Sequence, residues 1–240
     1  MECTRPLKGY HARGGGFTAN LKQAIRIGNV FAKLTVPCGK CFACRERKAS
    51  DWSIRMIHEA QMHTASSFIT LTYNNETIPE DGSLKIEHFQ KFMKRFRFQI
   101  KPARIRFYHC GEYGKVKASL GDSLSAKENL PHPFQGDREA HGRPHYHAII
   151  FGWDFPDKTQ WSIRNGHPVY RSAQLEKLWP FGHSEIGTVT YDSAKYVSGY
   201  IQKKINGEES VDYYKRVDYE TGEIFTLQPE YATMSRRPGI

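Results

Sequence analysis

The chain has 240 residues, 39% of them hydrophobic and 13% aromatic, and carries a formal net charge of +10. That size suits one large domain or a domain with a small module, and the composition is globular rather than disordered or repetitive. No run approaches the ~18 apolar residues of a membrane span, and the basic, polar N-terminus has no signal-peptide core, so the expectation is a soluble protein that stays inside a cell and meets no membrane.

The positive charge is concentrated in two regions. Residues 1–50 hold ten Lys/Arg against two acidic residues, and residues 85–106 hold eight against one. Those stretches therefore carry +8 and +7, and the remainder of the chain sums to −5. In the second stretch the cations are interleaved with Phe89, Phe92, Phe96 and Phe98, and Phe107 and Tyr108 follow. Cations beside stacking surfaces suit a polyanion track, with a solvated basic surface as the bland alternative. Lys94, Arg97, Arg104 and Arg106 are the candidate DNA contacts.

Taken in chain order, the first motif is Cys38-Gly39-Lys40-Cys41-Phe42-Ala43-Cys44, a Cys-x2-Cys-x2-Cys knuckle that brings thiolates around one ion. Closed tetrahedral zinc needs a fourth ligand, for which Cys3 is the candidate; an iron–sulfur site or plain reduced thiols are the alternatives. Cys110 falls on an expected strand and reads as a small core residue. Ser50 or Asp51 can cap a helix carrying Trp52, Ile54, Ile57 and Met62 to about Thr64. Phe68 to Tyr73 has strand composition. After Asp81-Gly82-Ser83, the spacing of Ile86, Phe89, Met93, Phe96 and Ile100 predicts a helix with its Lys/Arg on the solvent side, ended by Pro102. Ala103 to Cys110 is the next strand, extending toward Glu112. The polar, Gly- and Pro-containing run from Lys115 to His141 reads as a long loop between two paired strands.

Gly142-Arg143-Pro144-His145-Tyr146-His147-Ala148-Ile149-Ile150-Phe151-Gly152 is then a strand bounded by turn residues. Alternation places His145 and His147 on one face, where two imidazoles can share a metal ion, although a pair of ordinary histidines fits the bare pattern too. A short helix from Arg171 to Trp179, a strand from Gly182 to Thr190 and a helix capped by Asp192 and running to about Ile205 complete the core. On that last helix Tyr196 and Tyr200 are i, i+4, with Lys203 next along the face, while Val197 and Ile201 anchor it on the sheet; two tyrosines packed at a core edge is the alternative. The element order fits an α+β fold with a central, mainly antiparallel sheet flanked by helices. The expected division is a Cys-rich basic module over 1–50, the main domain over 51–210 and a C-terminal extension over 211–240.

Phe68 to Tyr73, Gly142 to Gly152 and Tyr196 to Lys204 resemble, in this order, the three motifs of His-hydrophobic-His (HUH) rolling-circle endonucleases. The chain is similar in particular to replication initiators of microviruses of the gokushovirus group, in a likeness that extends over the knuckle, Asp51-Trp52 and the final Met234-Ser235-Arg236-Arg237-Pro238-Gly239-Ile240. Such initiators usually continue beyond that Pro-Gly-Ile, so a truncated C-terminal region is expected. The resemblance implies a Mn²⁺ or Mg²⁺ ion on His145 and His147 with a carboxylate from an adjacent strand. Glu112 is the choice for it, with His141 and Asp154 as competitors nearby in sequence. It also implies Tyr196 and Tyr200 as nucleophiles with Lys203 beside them, and a 5′-phosphotyrosine intermediate on single-stranded origin DNA in the cytoplasm of a bacterial host. No Gly-x4-Gly-Lys-Ser/Thr loop is present, so host helicase and polymerase would be separate partners. A transposase or relaxase of the same chemistry, and a non-catalytic zinc-containing single-strand binder, are the other readings.

Overall fold

The computed structural model describes residues 2–115, 141–199, 204, 209–217, 221–236 and 240. The long loop expected after Lys115 thus lies outside the described residues. The chain divides into two compact units, Met1–Asp51 and Trp52–Ile240. In the first, β1 (Leu7–His11) pairs antiparallel with β2 (Phe17–Thr18), β3 (Arg26–Ile27) pairs with β4 (Val30–Phe31), and β5 (Lys33–Val36) lies along the other edge of β1. Most side chains of this unit are exposed or half-buried. A unit this small buries too little apolar surface to be stable on packing alone, which makes any cross-linking centre within it important.

The unit boundary falls within α1 (Phe42–Gln61), which starts well before the Ser50–Asp51 expected as its cap. Phe42 to Ala49 contains no helix breaker, so nothing stops the helix from starting at the knuckle, and Ser53 is buried against Ser198 at 3.1 Å. The second unit then follows as β6 (Ser66–Tyr73), α2 (Ile86–Gln99), β7 (Arg106–Lys115), β8 (His141–Phe151), β9 (Thr159–Arg164), β10 (His167–Arg171), α3 (Ala173–Leu178), β11 (Gly182–Gly187) and α4 (Tyr191–Gly199). It closes with α5 (Glu209–Tyr213), β12 (Lys215–Val217), β13 (Ile224–Thr226) and β14 (Tyr231–Met234). Seven of these strands form one antiparallel sheet in the order β14-β7-β8-β6-β11-β10-β9, so the α+β reading with a large antiparallel sheet holds. Residues 231–234, within the expected C-terminal extension, are an edge strand of that sheet.

β8 lies between β7 and β6 and is buried on both faces. On one side α2 brings Phe89, Phe92, Met93 and Phe96 against Tyr146, Ala148 and Ile150. On the other, Met56 of α1 with Ala194 and Val197 of α4 cover Tyr108, Cys110, Ile149 and Phe151. Cys110 is indeed a core residue. The β9–β10 hairpin was not expected. Its turn is Asn165-Gly166, with φ of 50° and 79°, the two left-handed residues that a tight hairpin turn requires. The cap of α4 is Thr190 rather than Asp192: Thr190 N–H donates to Ser193 Oγ at 2.8 Å, and Ser193 N–H donates back to Thr190 Oγ1 at 3.2 Å.

His109 of β7 faces α2, stacked on Phe89 with ring centroids 3.4 Å apart and Nδ1 3.0 Å from Thr233 Oγ1. Burial first, and the neighbouring His147 second, hold its pKa well below the usual 6.5. The unfolded chain therefore takes up a proton near pH 6.5 that the folded chain refuses, and stability is lost as pH falls below that value. The expected slope for this one group is about 1.4 kcal/mol per pH unit. Urea midpoints should fall between pH 7.5 and 5.5, and the fall should be shallower in His109→Gln; equal slopes in the two proteins would contradict this assignment.

Candidate metal and nucleophile site

The register of three adjoining strands assembles the site. Glu112 of β7 lies opposite His145 and Cys110 opposite His147, while on the other side Thr72 of β6 faces His145 and Thr70 faces His147. Directly opposed residues share a face. His145 and His147 therefore point, with Glu112, Thr70 and Thr72, toward the side that carries α1 and α4. The two imidazole rings are nearly parallel, 12° apart, with centroids 6.3 Å apart. His147 is held at both nitrogens, with Nδ1 3.0 Å from Thr70 Oγ1 and Nε2 3.1 Å from Glu112 Oε1. His147 is 4% exposed and Glu112 3%, so neither is a solvated surface group.

His145 donates from Nδ1 to the Arg143 carbonyl, which leaves Nε2 with its lone pair as the ligand-competent nitrogen. Burial, followed by the nearness of His147, lowers its pKa and favours that neutral form. The ring rests against Gly114 of β7, which stands opposite two residues of β8, Gly142 and Arg143, where the register shifts. Opposite it, a Cβ on Gly142 would come within 2.4 Å of the Gly114 carbonyl oxygen, so only glycine allows the strands to close here.

Two ligands about 2.1 Å from one ion and at right angles to each other are ~3.0 Å apart. The His147–Glu112 separation fits that edge. His145 does not complete it as placed: among the described residues, Cys3, Cys38, Cys41 and Cys44 are the group of three or more potential ligands gathered within 4.8 Å. A third contact from His145 needs its ring to turn toward the other two. Asp154 lies beyond the far end of β8, bonded to Lys158 and to the Phe155 N–H, and is no neighbour of the pair.

Tyr196 comes to this site from α4. Ala194 and Val197 pack against the sheet, and Tyr196 extends to stand edge-on to His147, with ring centroids 5.1 Å apart and planes at 81°. Its ring also lies 6.3 Å from that of Phe68, and it remains 49% exposed. Tyr200 and Lys203 lie outside the described residues. Two residues of the site were not singled out from sequence. Thr70 belongs to the Phe68–Tyr73 strand, and its alternation with Leu71 was the available signal. Arg143 donates to the Tyr73 carbonyl at 3.0 Å and to Asn75 Oδ1, at the rim of a cleft of about 330 Å³ that Thr72 and His183 also line.

In the first unit, Gly39 at φ 73° turns the knuckle so that Cys38 and Cys41 converge, and Cys44 follows in the first turns of α1. The sulfurs of Cys3, Cys38, Cys41 and Cys44 lie within 4.8 Å of one another, with Cys41 and Cys3 3.9 Å apart. A zinc tetrahedron with ~2.3 Å bonds has edges of about 3.8 Å. The Cys38 N–H donates to Cys3 Sγ and the Cys41 N–H to Cys38 Sγ, both at 3.3 Å. Backbone N–H groups, that of Cys44 foremost, bring the Cys41 thiol down to about 5, whereas burial pushes Cys44 up to about 12. Four crowded sulfurs cannot all ionise without a cation among them, and the cluster could hold a metal such as zinc.

Of the basic candidates, Lys94 and Arg97 are exposed on α2, and Arg104 is exposed ahead of β7. The Arg97 guanidinium lies 5.4 Å over the Phe107 ring. Arg106 differs: it is half-buried and bonded to Glu59 at 2.7 Å, so much of its charge is already met. No helix among the described residues is long and apolar enough to cross a membrane.

The family model for the ORF2-type replication-associated proteins matches residues 66–120 and 124–205, more than half of the chain. The match contains Thr70, Glu112, His145, His147 and Tyr196. The chain is 32% identical over 223 residues to replication-associated protein VP4 of Bdellovibrio phage phiMH2K, an alignment covering 89% of the chain and 62% of that protein. It is 30% identical over 177 residues to replication-associated protein ORF4 of Chlamydia phage 1, covering 70% of the chain and 38% of the relative. Against replication-associated protein ORF2 of Spiroplasma virus 4 it is 25% identical over 256 residues, covering 100% of the chain and 69% of that protein. The chain thus spans less than two thirds of the length of the first two relatives. No solved structure matches it. The chain belongs to the ORF2-type family of replication-associated proteins, in keeping with its resemblance to microvirus replication initiators.

Proposed function

We propose that the chain is a rolling-circle replication initiator that nicks single-stranded origin DNA by tyrosine attack and later rejoins the strand. The observation that carries this reading is Tyr196 standing edge-on to His147 while His147 is bonded to Glu112. A tyrosine oxygen forms a bond to the scissile phosphorus as the bond from phosphorus to the 3′ oxygen breaks. The products are a 5′-phosphotyrosine ester and a 3′-hydroxyl, the tyrosine proton having passed to the leaving oxygen or to solvent. One ester replaces another, so the reverse attack by a 3′-hydroxyl reseals DNA without ATP.

A phenol with a pKa near 10 is about one part in a thousand phenolate at neutral pH, a deficit of ~4 kcal/mol. Lys203, three residues after Tyr200, would favour the anion electrostatically. A Mn²⁺ or Mg²⁺ ion on His145, His147 and Glu112 would draw charge from the non-bridging oxygens of the phosphate. Nitrogen ligands make Mn²⁺ at least as suitable as Mg²⁺. Arg143, at the rim beside His145, adds a fixed cation for the same phosphate strand. The exposed Lys94, Arg97 and Arg104 give a sequence-independent hold on the DNA backbone. Unwinding and synthesis fall to a separate helicase and polymerase of the host, in its cytoplasm.

Oligonucleotides tiled across the genome that carries the gene, incubated with the protein and Mn²⁺, test the reading. DNA labelled at its 3′ end should migrate with the protein on a denaturing gel, while 5′-labelled DNA gives a free shorter fragment. A single-strand binder without catalysis shifts native gels only, and that outcome would discard the enzyme reading.

In the same proposal the 1–50 module is held by structural zinc that takes no part in the reaction. Purified protein should contain one zinc per chain. Cys41→Ser and Cys3→Ser should lose it together with the protease resistance of the first ~50 residues. An iron–sulfur absorption band, or full resistance in metal-free protein, would refute that assignment.

A further inference from the structure

The sheet face that bears His147 continues beyond the site, and its far side holds an aromatic group that the proposed chemistry does not use. The face can be followed strand by strand. Thr70 bonds His147, Thr70 lies opposite Glu185 of β11, and both carboxylate oxygens of Glu185 accept from Arg164 of β9 at 2.7 Å. On β10, Tyr170 lies opposite Ile186, which faces the α2 core, so the next residue, Arg171, points to the His147 side. The Arg171 guanidinium sits 3.9 Å from the centre of the Trp161 ring. α1 and α4 cover β7 and β8, whereas His183, Arg164 and Trp161 on this farther part are exposed and Arg171 is half-buried.

Trp161 is 59% exposed. A single exposed aromatic is ordinary, and a guanidinium over it is a common surface pair. Its setting is less ordinary. The register passes from Val169↔Ser162 to Tyr170↔Gln160, so Trp161 is the extra residue of a bulge and has no cross-strand partner. Bulges re-aim side chains, and this one turns an indole onto the open, polar face continuous with the candidate site. Arg171 backs one side of the ring, and the exposure leaves the other available. The cations here are Arg164 and Arg171, and the anion Glu185 is matched by Arg164.

We propose that Trp161, backed by Arg171, is a base-stacking post for single-stranded DNA, holding the substrate strand four strand-spacings, about 19 Å, from β8. The inference rests on the single-stranded substrate proposed above, but not on the nicking chemistry. Stacking on an aromatic ring is indifferent to base identity and needs an unpaired base, so the post selects single strands rather than a sequence.

The test uses the full chain with dT20 and, separately, a DNA hairpin duplex. It compares wild type with Trp161→Phe, Trp161→Ala and Arg171→Ala, each checked by circular dichroism. Binding of dT20 should quench tryptophan fluorescence, and both Trp161 variants should lose most of that quench. Trp161→Ala should bind dT20 about tenfold more weakly with an unchanged salt slope, because stacking releases no counterions, while Trp161→Phe stays within about threefold of wild type. Arg171→Ala should flatten the log–log salt slope by about 0.7. Duplex binding should be indifferent to Trp161. Undiminished quench in Trp161→Phe, or equal losses on dT20 and duplex, would overturn the post. Absence of a covalent adduct in the gel assay would count against the nicking reading alone, since these measurements need no cleavage.

Discussion

Replacing either His145 or His147 by Ala is expected to reduce strand cleavage by at least about a thousandfold, equivalent to ~4 kcal/mol of transition-state stabilisation, while single-strand binding persists. Binding should persist because Lys94, Arg97 and Arg104 are exposed on the α2 side and ahead of β7, separate from the pair. The two variants should differ in stability. His147→Ala removes the partner of both Thr70 Oγ1 and Glu112 Oε1 and leaves a carboxylate that is 3% exposed, at an expected cost of about 1–3 kcal/mol. His145→Ala removes a ring whose Nδ1 bonds only a neighbouring backbone carbonyl, and should melt closer to wild type. Glu112→Gln should weaken Mn²⁺ affinity in a titration read by quenching or calorimetry while keeping the fold. Cleavage by the double-His variant in the presence of EDTA would mean the reaction does not depend on this face.

Much of this face was legible in the sequence. Period-two alternation on β8 placed both histidines on one side, and the turn signals at Gly142 and Gly152 fixed the ends of that strand. The apolar spacing from Ile86 to Ile100 gave α2 almost to the residue. What could not be read is what depends on register. Glu112 lies opposite His145 but bonds diagonally to His147, a choice that a sequence pattern does not reveal. Thr70 is an ordinary strand threonine until β6 sets it beside His147. Two local signals were present and not used. Asn165-Gly166 announces a hairpin, and the unbroken helix-forming run from Phe42 argues for a helix that begins at the knuckle rather than at Ser50. The cysteines are a separate case, because local spacing gave three ligands and only the fold brings Cys3 to them.

The second large effect concerns the two tyrosines. Tyr196→Phe keeps the ring beside His147 and Phe68 and removes one oxygen, so loss of function in it reports chemistry rather than packing. Rolling-circle replication requires a second attack, because a full-length circle must be cut and closed while the protein is still joined to its end. In the proposed reaction the two tyrosines, four residues apart in sequence, divide the work: one would hold the 5′ end while the other attacks. In this proposal Tyr200, which precedes Lys203 by three residues, is assigned the first cut, with Tyr196 in the alternating role. Each single Phe variant should then still form an adduct with an origin oligonucleotide, within about tenfold of wild type for Tyr196→Phe. Each should release no closed circle from a template carrying two origins, and the double variant should form no adduct at all. Peptide mapping of the wild-type adduct should find DNA on both residues. The competing account has Tyr196 packing only against the sheet edge, and it predicts normal circle release from Tyr196→Phe. Adduct confined to Tyr200 together with undiminished circles from that variant would reduce the reaction to single-tyrosine chemistry.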